Sequence, residues 1–474
     1  MANPSRSNER AVIEDNMLLT MFDASITNDT TQDSLDERIA FLDAVRASSI
    51  GLEYGKPPNS KIYEAVFQML RTGKSLQLIV ASYKLLVDLE KRFPRAYLSG
   101  EDVSMSPSTS TPELVVDEEA WSPLIVGLDN ATAVSEAGGK KSGGRLDSSS
   151  FHRLIEELAE TLTESNNQAA SMKPLQNLLL FQYLVIVLEG DFLPRNATMN
   201  WSLQRESLLN LLMGSRKINY KSLMKDCIKV ICLLCQLLQN VLSKNLEVEK
   251  SSESQLSENY HIALSLAFLE VLKNTHVFMG KLLVMIMALD MSRKKADIEG
   301  HTSRVDSPRT PLVDIVLDEL AYDKDNIPHF LKIFSEPKWK LEIVVQYFWK
   351  YIRKPAARTR RSNGDTVVDA TFDGVVKCFS NSTGTKSIIK KIGADVVQLL
   401  LAHGFLAQLS ILLERNANDN IAEDREEGAN ALVDLCHTLI SAFDSLRSTD
   451  KDMEILSIGK EALFTAASYI SMES

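Results

Sequence analysis

Cys232 and Cys235 stand one helical turn apart in the string CLLC, a spacing that would supply half of a zinc site. A closed structural site needs four ligands, and neither a second CxxC nor an HxxxH follows. The pair therefore reads as small apolar residues of a buried helix. Lys140 in GGKKSGG and Lys386 in NSTGTKS come near a phosphate-binding loop. That loop needs Gly-Lys followed directly by Ser or Thr, and Lys141 and Thr385 break the order. No GxSxG, HExxH or kinase motif set occurs, and no carboxylates stand in a context that would pair them for acid/base work. The expectation is a protein that is not an enzyme, with no catalytic residue, no metal ligand set, no cofactor site and no small-molecule substrate.

Two polar segments offer other chemistry. In SPRTP, Ser307 and Thr310 each precede a proline and lie beside Arg304 and Arg309. Phosphorylation adds ~2 negative charges, which could pair with those arginines and order the loop. The same string also reads as a helix start, with Thr310 as N-cap and Pro311 in the first turn, and the two readings are compatible. Downstream, Arg353, Lys354, Arg358, Arg360 and Arg361 place five basic residues in nine. Such a run serves as a solvated loop, a nuclear import signal or a phosphate-contacting loop. Direct DNA contact ranks last, because the net charge is -11 and the pI ≈ 5.3. Gripping phosphates needs an excess of Lys and Arg on the binding face.

The elements that carry these segments read as helices. From Trp339 to Ile352, WKLEIVVQYFWKYI puts Leu341, Val344, Val345, Phe348 and Ile352 on one stripe and Ile343, Tyr347 and Tyr351 on a second. Only a narrow polar strip remains, through Lys338, Glu342, Gln346 and Lys350, so this helix is expected to be the keystone of a large helical body. Pro337 suits its first turn and Pro355 stops it. The spacing predicts further helices at Asp36–Val45, Lys61–Leu70, Leu76–Phe93, Phe151–Leu162, Pro174–Leu188, Trp201–Met213, Tyr220–Leu242, Tyr260–Asn274 and Val277–Met291. It continues with Thr310–Leu320, Pro328–Phe334, Lys386–Leu401, Leu406–Leu413, Ala429–Leu446 and Ile455–Tyr469. No long Val/Ile/Thr run of period two occurs, so no sheet is expected.

Between Ser99 and Ser150 the composition turns to Ser, Thr, Pro, Gly and acidic residues, which bury too little apolar area to offset chain entropy. The expected organisation is N-terminal helical layers over 1–98, a mostly disordered linker over 99–150, and a main body over 151–474. Within the linker, Trp121 with Val115, Val116, Leu124 and Ile125 marks a docking segment at 115–126, against the alternative of a break between domains. The fold class is all-α, an irregular armadillo/HEAT-like helical-repeat stack, or α-solenoid, although no fixed period emerges. A compact helical bundle is the structural alternative. The odd count of five cysteines argues against a disulfide framework and for a reducing compartment. MANPSRSNERAVIEDN has no apolar stretch of a signal peptide, and runs such as LLLFQYLVIVL fall short of the ~20 residues that span a bilayer, so no membrane partner is expected.

Several long strings carry a resemblance: KKADIEGHTSRVDSPRTPLVDIVLDELAYD, PKWKLEIVVQYFWKYIRKPAARTRR, KKIGADVVQLLLAHGFLA and TMNWSLQRESLLNLLMGSRKINYKSLMKDC. IEDNMLLTMFD, DEEAWSP and GKEALFTA extend it over nearly the whole chain. They are similar to a small plant family of negative regulators of systemic acquired resistance. The resemblance implies a nuclear armadillo-like scaffold without catalytic residues. It also implies a non-catalytic subunit, comparable to element six, of the structural-maintenance-of-chromosomes five/six complex, acting beside an element-five-like helical partner and touching DNA only indirectly. Roles in DNA damage repair, homologous recombination and repression of defence genes follow from it as expectations.

Overall fold

Apolar residues recurring every three to four positions, with few helix breakers, fold this chain into helices over most of its length. The structure is a computed structural model that describes residues 32–51, 53–99, 113–127, 145–164, 172–248, 257–302, 309–334, 336–352, 371–379, 382–418, 422–450 and 453–473. Two compact units form, Met1–Leu312 and Val313–Ser474.

The first unit comprises α1 (Gln32–Ser49), α2 (Ser60–Thr72), α3 (Leu76–Arg92), α4 (Ser148–Glu164), α5 (Lys173–Ala197), α6 (Trp201–Arg205), α7 (Leu208–Met213), α8 (Tyr220–Val248) and α9 (Ser257–Ile298). Its centre is α5, which packs against α2, α3, α4, α6, α7 and α9. From Gln176 to Leu188 only Ile186 escapes full burial, so α5 is covered on every side rather than along one stripe. The expected break within 260–291 does not occur. No proline interrupts that stretch, and α9 runs through it as one helix of 42 residues. Conversely, Trp201–Met213 is two short helices, because the Ser207 side chain accepts from Asn210 N (3.2 Å) and restarts the helix.

Among the described residues, four short strands correct the expectation of no sheet. β1 (Ala96–Ser99) pairs antiparallel with β2 (Glu113–Val116), and β3 (Leu124–Ile125) pairs parallel with β4 (Leu146–Asp147). Strands of two to four residues are too short to show a periodic signal. They fix the segment around Trp121, whose indole stacks on Tyr63 of α2 (5.3 Å, 8°) and meets the edge of Phe67 (5.5 Å, 67°). Residues 100–112 and 128–144 lie outside the described residues.

The second unit contains α10 (Leu312–Tyr322, which begins at the last residue of the first unit), α11 (Ile327–Ile333), α12 (Pro337–Ile352), α13 (Phe372–Lys377), α14 (Ser382–Ile392), α15 (Ala394–Asn418), α16 (Ala422–Thr449) and α17 (Ser457–Glu473). The expected keystone α12 does bury Trp339, Ile343, Val344, Val345, Tyr347 and Phe348. The hub is nevertheless α15, which packs against α11, α12, α13, α14, α16 and α17. The predicted helix over 386–401 is cut at Gly393, whose φ of 101° suits only glycine and ends α14. Past that cut the helix runs on through Gly404, joining two stretches the sequence had separated. Gly404 is there for close approach. A Cβ on it would collide with the buried ring of Phe372, including Cδ2 at 2.8 Å and Cζ at 2.9 Å. Gly404→Ala is therefore expected to destabilise the protein by about 1–3 kcal/mol through overpacking, despite alanine's better helix propensity, as read by the urea midpoint. An unchanged or raised midpoint would contradict the packing.

Among the described residues, three helical stretches are long and apolar enough to cross a bilayer by length and composition: Lys173–Ala197, Phe268–Ile298 and Ala394–Arg415. The argument from short apolar runs therefore does not extend to the helices themselves. The share of each apolar window buried inside the protein is 72%, 50% and 50%, respectively.

Candidate functional site

Arg309 of the SPRTP segment lies beside a cluster of α8 and α9 side chains. Arg309 donates from Nε and Nη2 to Asp290 Oδ1 (3.0 and 2.8 Å), and its guanidinium lies 4.4 Å from the Tyr220 ring centre. The other Asp290 oxygen accepts from Leu312 N (2.8 Å), so Asp290 holds the chain where α10 begins. One turn along α9, Arg293 donates to Asn210 Oδ1 (2.9 Å) and lies over the Trp201 ring (5.7 Å). Trp201, Asn210 and Tyr220 thus bring together strings far apart in the sequence. Thr310 is exposed, and the first helical N–H belongs to Asp290 rather than to a local threonine cap. Both side chains of the Arg309–Asp290 pair are about nine-tenths buried, and a phosphate on Thr310 would have to compete with Asp290 for the Nε and Nη2 donors of Arg309. Arg304 and Ser307 lie outside the described residues.

Arg353, Lys354, Arg358, Arg360 and Arg361 also lie outside the described residues. The end of α12 that leads into them is described. Lys391 of α14 donates to Tyr351 O (2.9 Å), and Lys324 donates to Lys391 O (3.2 Å) and Ile392 O (2.9 Å). These lysines cap the carbonyl ends of α12 and α14, where the helix dipole favours cations. Lys386 sits mid-helix in α14, away from the turn a phosphate loop requires. Lys140 lies outside the described residues.

Cys232 and Cys235 are both buried in α8. Cys235 Sγ lies 3.1 Å from His276 Nε2 on α9, a pairing across 41 residues that no local spacing announces. Burial pulls His276 below the ordinary imidazole range, which works against the imidazolium that would activate a thiol.

A buried charge network in the first unit had no sequence signal either. Asp191 of α5 accepts from Arg195 Nε (3.2 Å) and from Leu208 N (2.6 Å), with Arg95 Nε at 3.5 Å. Glu90 of α3 faces the same region, lying against α5 at Gly190, where an added Cβ would stand 3.3 Å from its Oε1. Burial pushes the Glu90 carboxyl up to about 7; Arg95 pulls it back down and Asp191 adds to the rise. The folded protein thus keeps a proton that the unfolded chain releases, so stability falls as pH rises from the ordinary 4.5 through about 7. Glu90→Gln removes that loss. Relative to the unsubstituted protein, it is expected to gain on the order of 2–3 kcal/mol between pH 4.5 and 8, measured by urea unfolding at each pH. A difference that stays constant with pH would contradict the assignment. A cleft of about 300 Å³ opens near this network. Its lining alternates Arg95 and Arg145 with Glu118 and Glu206, so it has no excess of one charge to select an ion.

Across both units the sequence matches known proteins. Residues 95–336 match the SNI1 middle domain and residues 352–474 match the SNI1 C-terminal domain. The chain is 41% identical over 453 residues to the negative regulator of systemic acquired resistance SNI1 of Arabidopsis thaliana, covering 94% of this chain and 92% of that relative. The chain belongs to the SNI1 family. No solved structure matches it. The family's middle-domain match contains the Asp191 network, the Arg309–Asp290 pair and the docked Trp121 segment. The C-terminal match takes in most of the second unit, from α13 to α17.

Proposed function

We propose that this SNI1-family protein is a non-catalytic helical scaffold of the nucleus that restrains systemic acquired resistance by holding partner subunits together. The partners proposed are subunits of the structural-maintenance-of-chromosomes five/six complex, including an element-five-like helical protein, which would tie the protein to DNA damage repair and homologous recombination. The observation that carries the regulatory part is the 41% identity spread over 94% of the chain, to a relative whose name is that of a negative regulator. The scaffold part draws on the chemistry. Among the described residues the one close thiol–imidazole contact, Cys235 with His276, is part-buried and lacks a favourable imidazolium, while helix faces supply the surface.

Expressing this chain in an Arabidopsis line that lacks its relative tests the regulatory reading. Restored repression of defence genes supports it, and defence-gene levels unchanged from the deficient line reject it.

The basic run favours a second reading, a repressor that contacts DNA through Arg353, Lys354, Arg358, Arg360 and Arg361. Binding through several phosphates must weaken steeply with salt, so a flat salt titration of DNA binding eliminates it. As an import signal the same run predicts that changing Arg358, Arg360 and Arg361 to Ala cuts nuclear accumulation of a fluorescent fusion severalfold. An unchanged distribution contradicts that role.

A further inference from the structure

His152 and Glu156 are four residues apart on α4 and so share one face, and Asp226 meets them from α8, which packs along α4. His152 Nε2 stands 3.5 Å from Glu156 Oε1 and 3.4 Å from Asp226 Oδ2, and the three ligand atoms all lie within 4.8 Å of one another. Nε2 is sealed from solvent and makes no hydrogen bond to either carboxylate. The two separations from His152 Nε2 fit a shared ion: ligands ~2.1 Å from a metal at tetrahedral angles stand ~3.4 Å apart. The neighbouring charge is already spoken for, because Arg153 pairs with Glu157 (3.5 Å), which also accepts from Asn177 (3.0 Å). Neither interaction neutralises Glu156. Burial is graded across the site: His152 is 13% exposed, Asp226 26% and Glu156 47%. The imidazole is thus fixed inside, and the glutamate closes from the solvent side.

We propose that His152, Glu156 and Asp226 bind a zinc ion that clamps α4 to α8. One imidazole and two carboxylates make three protein ligands, leaving the outward position for water or for a ligand from another molecule. The site belongs to the middle-domain region and is independent of the scaffold reading.

The test uses the full chain, stripped with chelator, dialysed and titrated with zinc chloride by calorimetry and by thermal unfolding. Zinc is expected to raise the melting temperature. His152→Ala and Asp226→Asn are each expected to weaken binding by more than about tenfold and to abolish that rise. Glu156→Gln, at an exposed position that leaves the core untouched, gives the same readout should the other variants unfold. Cys235→Ser separates this site from zinc taken up by the thiols and is expected to keep the rise. Unchanged zinc affinity in His152→Ala or Glu156→Gln would overturn the proposal, as would a melting rise produced equally by magnesium.

Discussion

Asp191→Ala is expected to lower the unfolding free energy by about 3–5 kcal/mol, the cost of removing one partner from a buried ion pair. Asp191 has no exposed side-chain surface. Its loss leaves the Arg195 side chain, which is 5% exposed, without its carboxylate, and leaves Leu208 N without an acceptor at the start of α7. Arg95 loses the same counter-charge. The surrounding helix cannot absorb the loss easily. Pro194, within α5, has no N–H to give the Gly190 carbonyl, so the ladder is already interrupted beside Asp191. Urea unfolding followed by helical circular dichroism measures the effect. Asp191→Asn, which can still accept from Leu208 N, is expected to cost less than the alanine variant. A loss below about 1 kcal/mol for alanine would show that water satisfies the arginines, and the network would then not be structural.

Phe348→Ala is expected to cost about 3–5 kcal/mol, the range for deleting a fully buried aromatic ring and leaving a cavity. Phe348 is 0% exposed and meets the ring of Phe379 edge-on (5.7 Å, 76°). Volume is what matters at this position, so Phe348→Leu is expected to cost much less than Phe348→Ala. Leu341, on the same predicted stripe but only half-buried, is the comparison. If Leu341→Ala proves as costly as Phe348→Ala, the orientation of α12 is wrong. The same unfolding curves decide it.

The contrast between Leu341 and Phe348 also shows where the sequence was legible and where it was not. Periodicity located most helices and identified α12 as mostly enclosed, because a stripe of apolar residues is a local property. It assigned the hub wrongly because centrality depends on which helices pack around an element, and α5 and α15 acquire that role only in three dimensions. Boundaries followed particular residues. Gly393 cut a helix that looked continuous, while Gly404 left one intact that looked broken. The first glycine adopts a positive φ, and the second makes room for Phe372. The strands beside Trp121 were too short for a pattern to register.

The candidate sites divide the same way. His152 and Glu156 show helical spacing in the sequence, but Asp226 arrives from a different helix 70 residues later, and only packing supplies it. Arg309 looked available for a phosphate from sequence because Asp290, 19 residues earlier and on another helix, could not be seen to hold it. Long-range pairs of this kind leave no mark in composition or spacing.

The central claim is that this protein acts by holding partners rather than by chemistry of its own. Affinity purification of the tagged full chain from plant nuclear extract tests it most directly, with nuclease added, salt raised and the retained proteins identified by mass spectrometry. The scaffold account predicts that the chromosome-maintenance ATPases and a second helical subunit remain bound under both treatments. Loss of all partners on nuclease treatment, or retention of transcription factors alone, would contradict it.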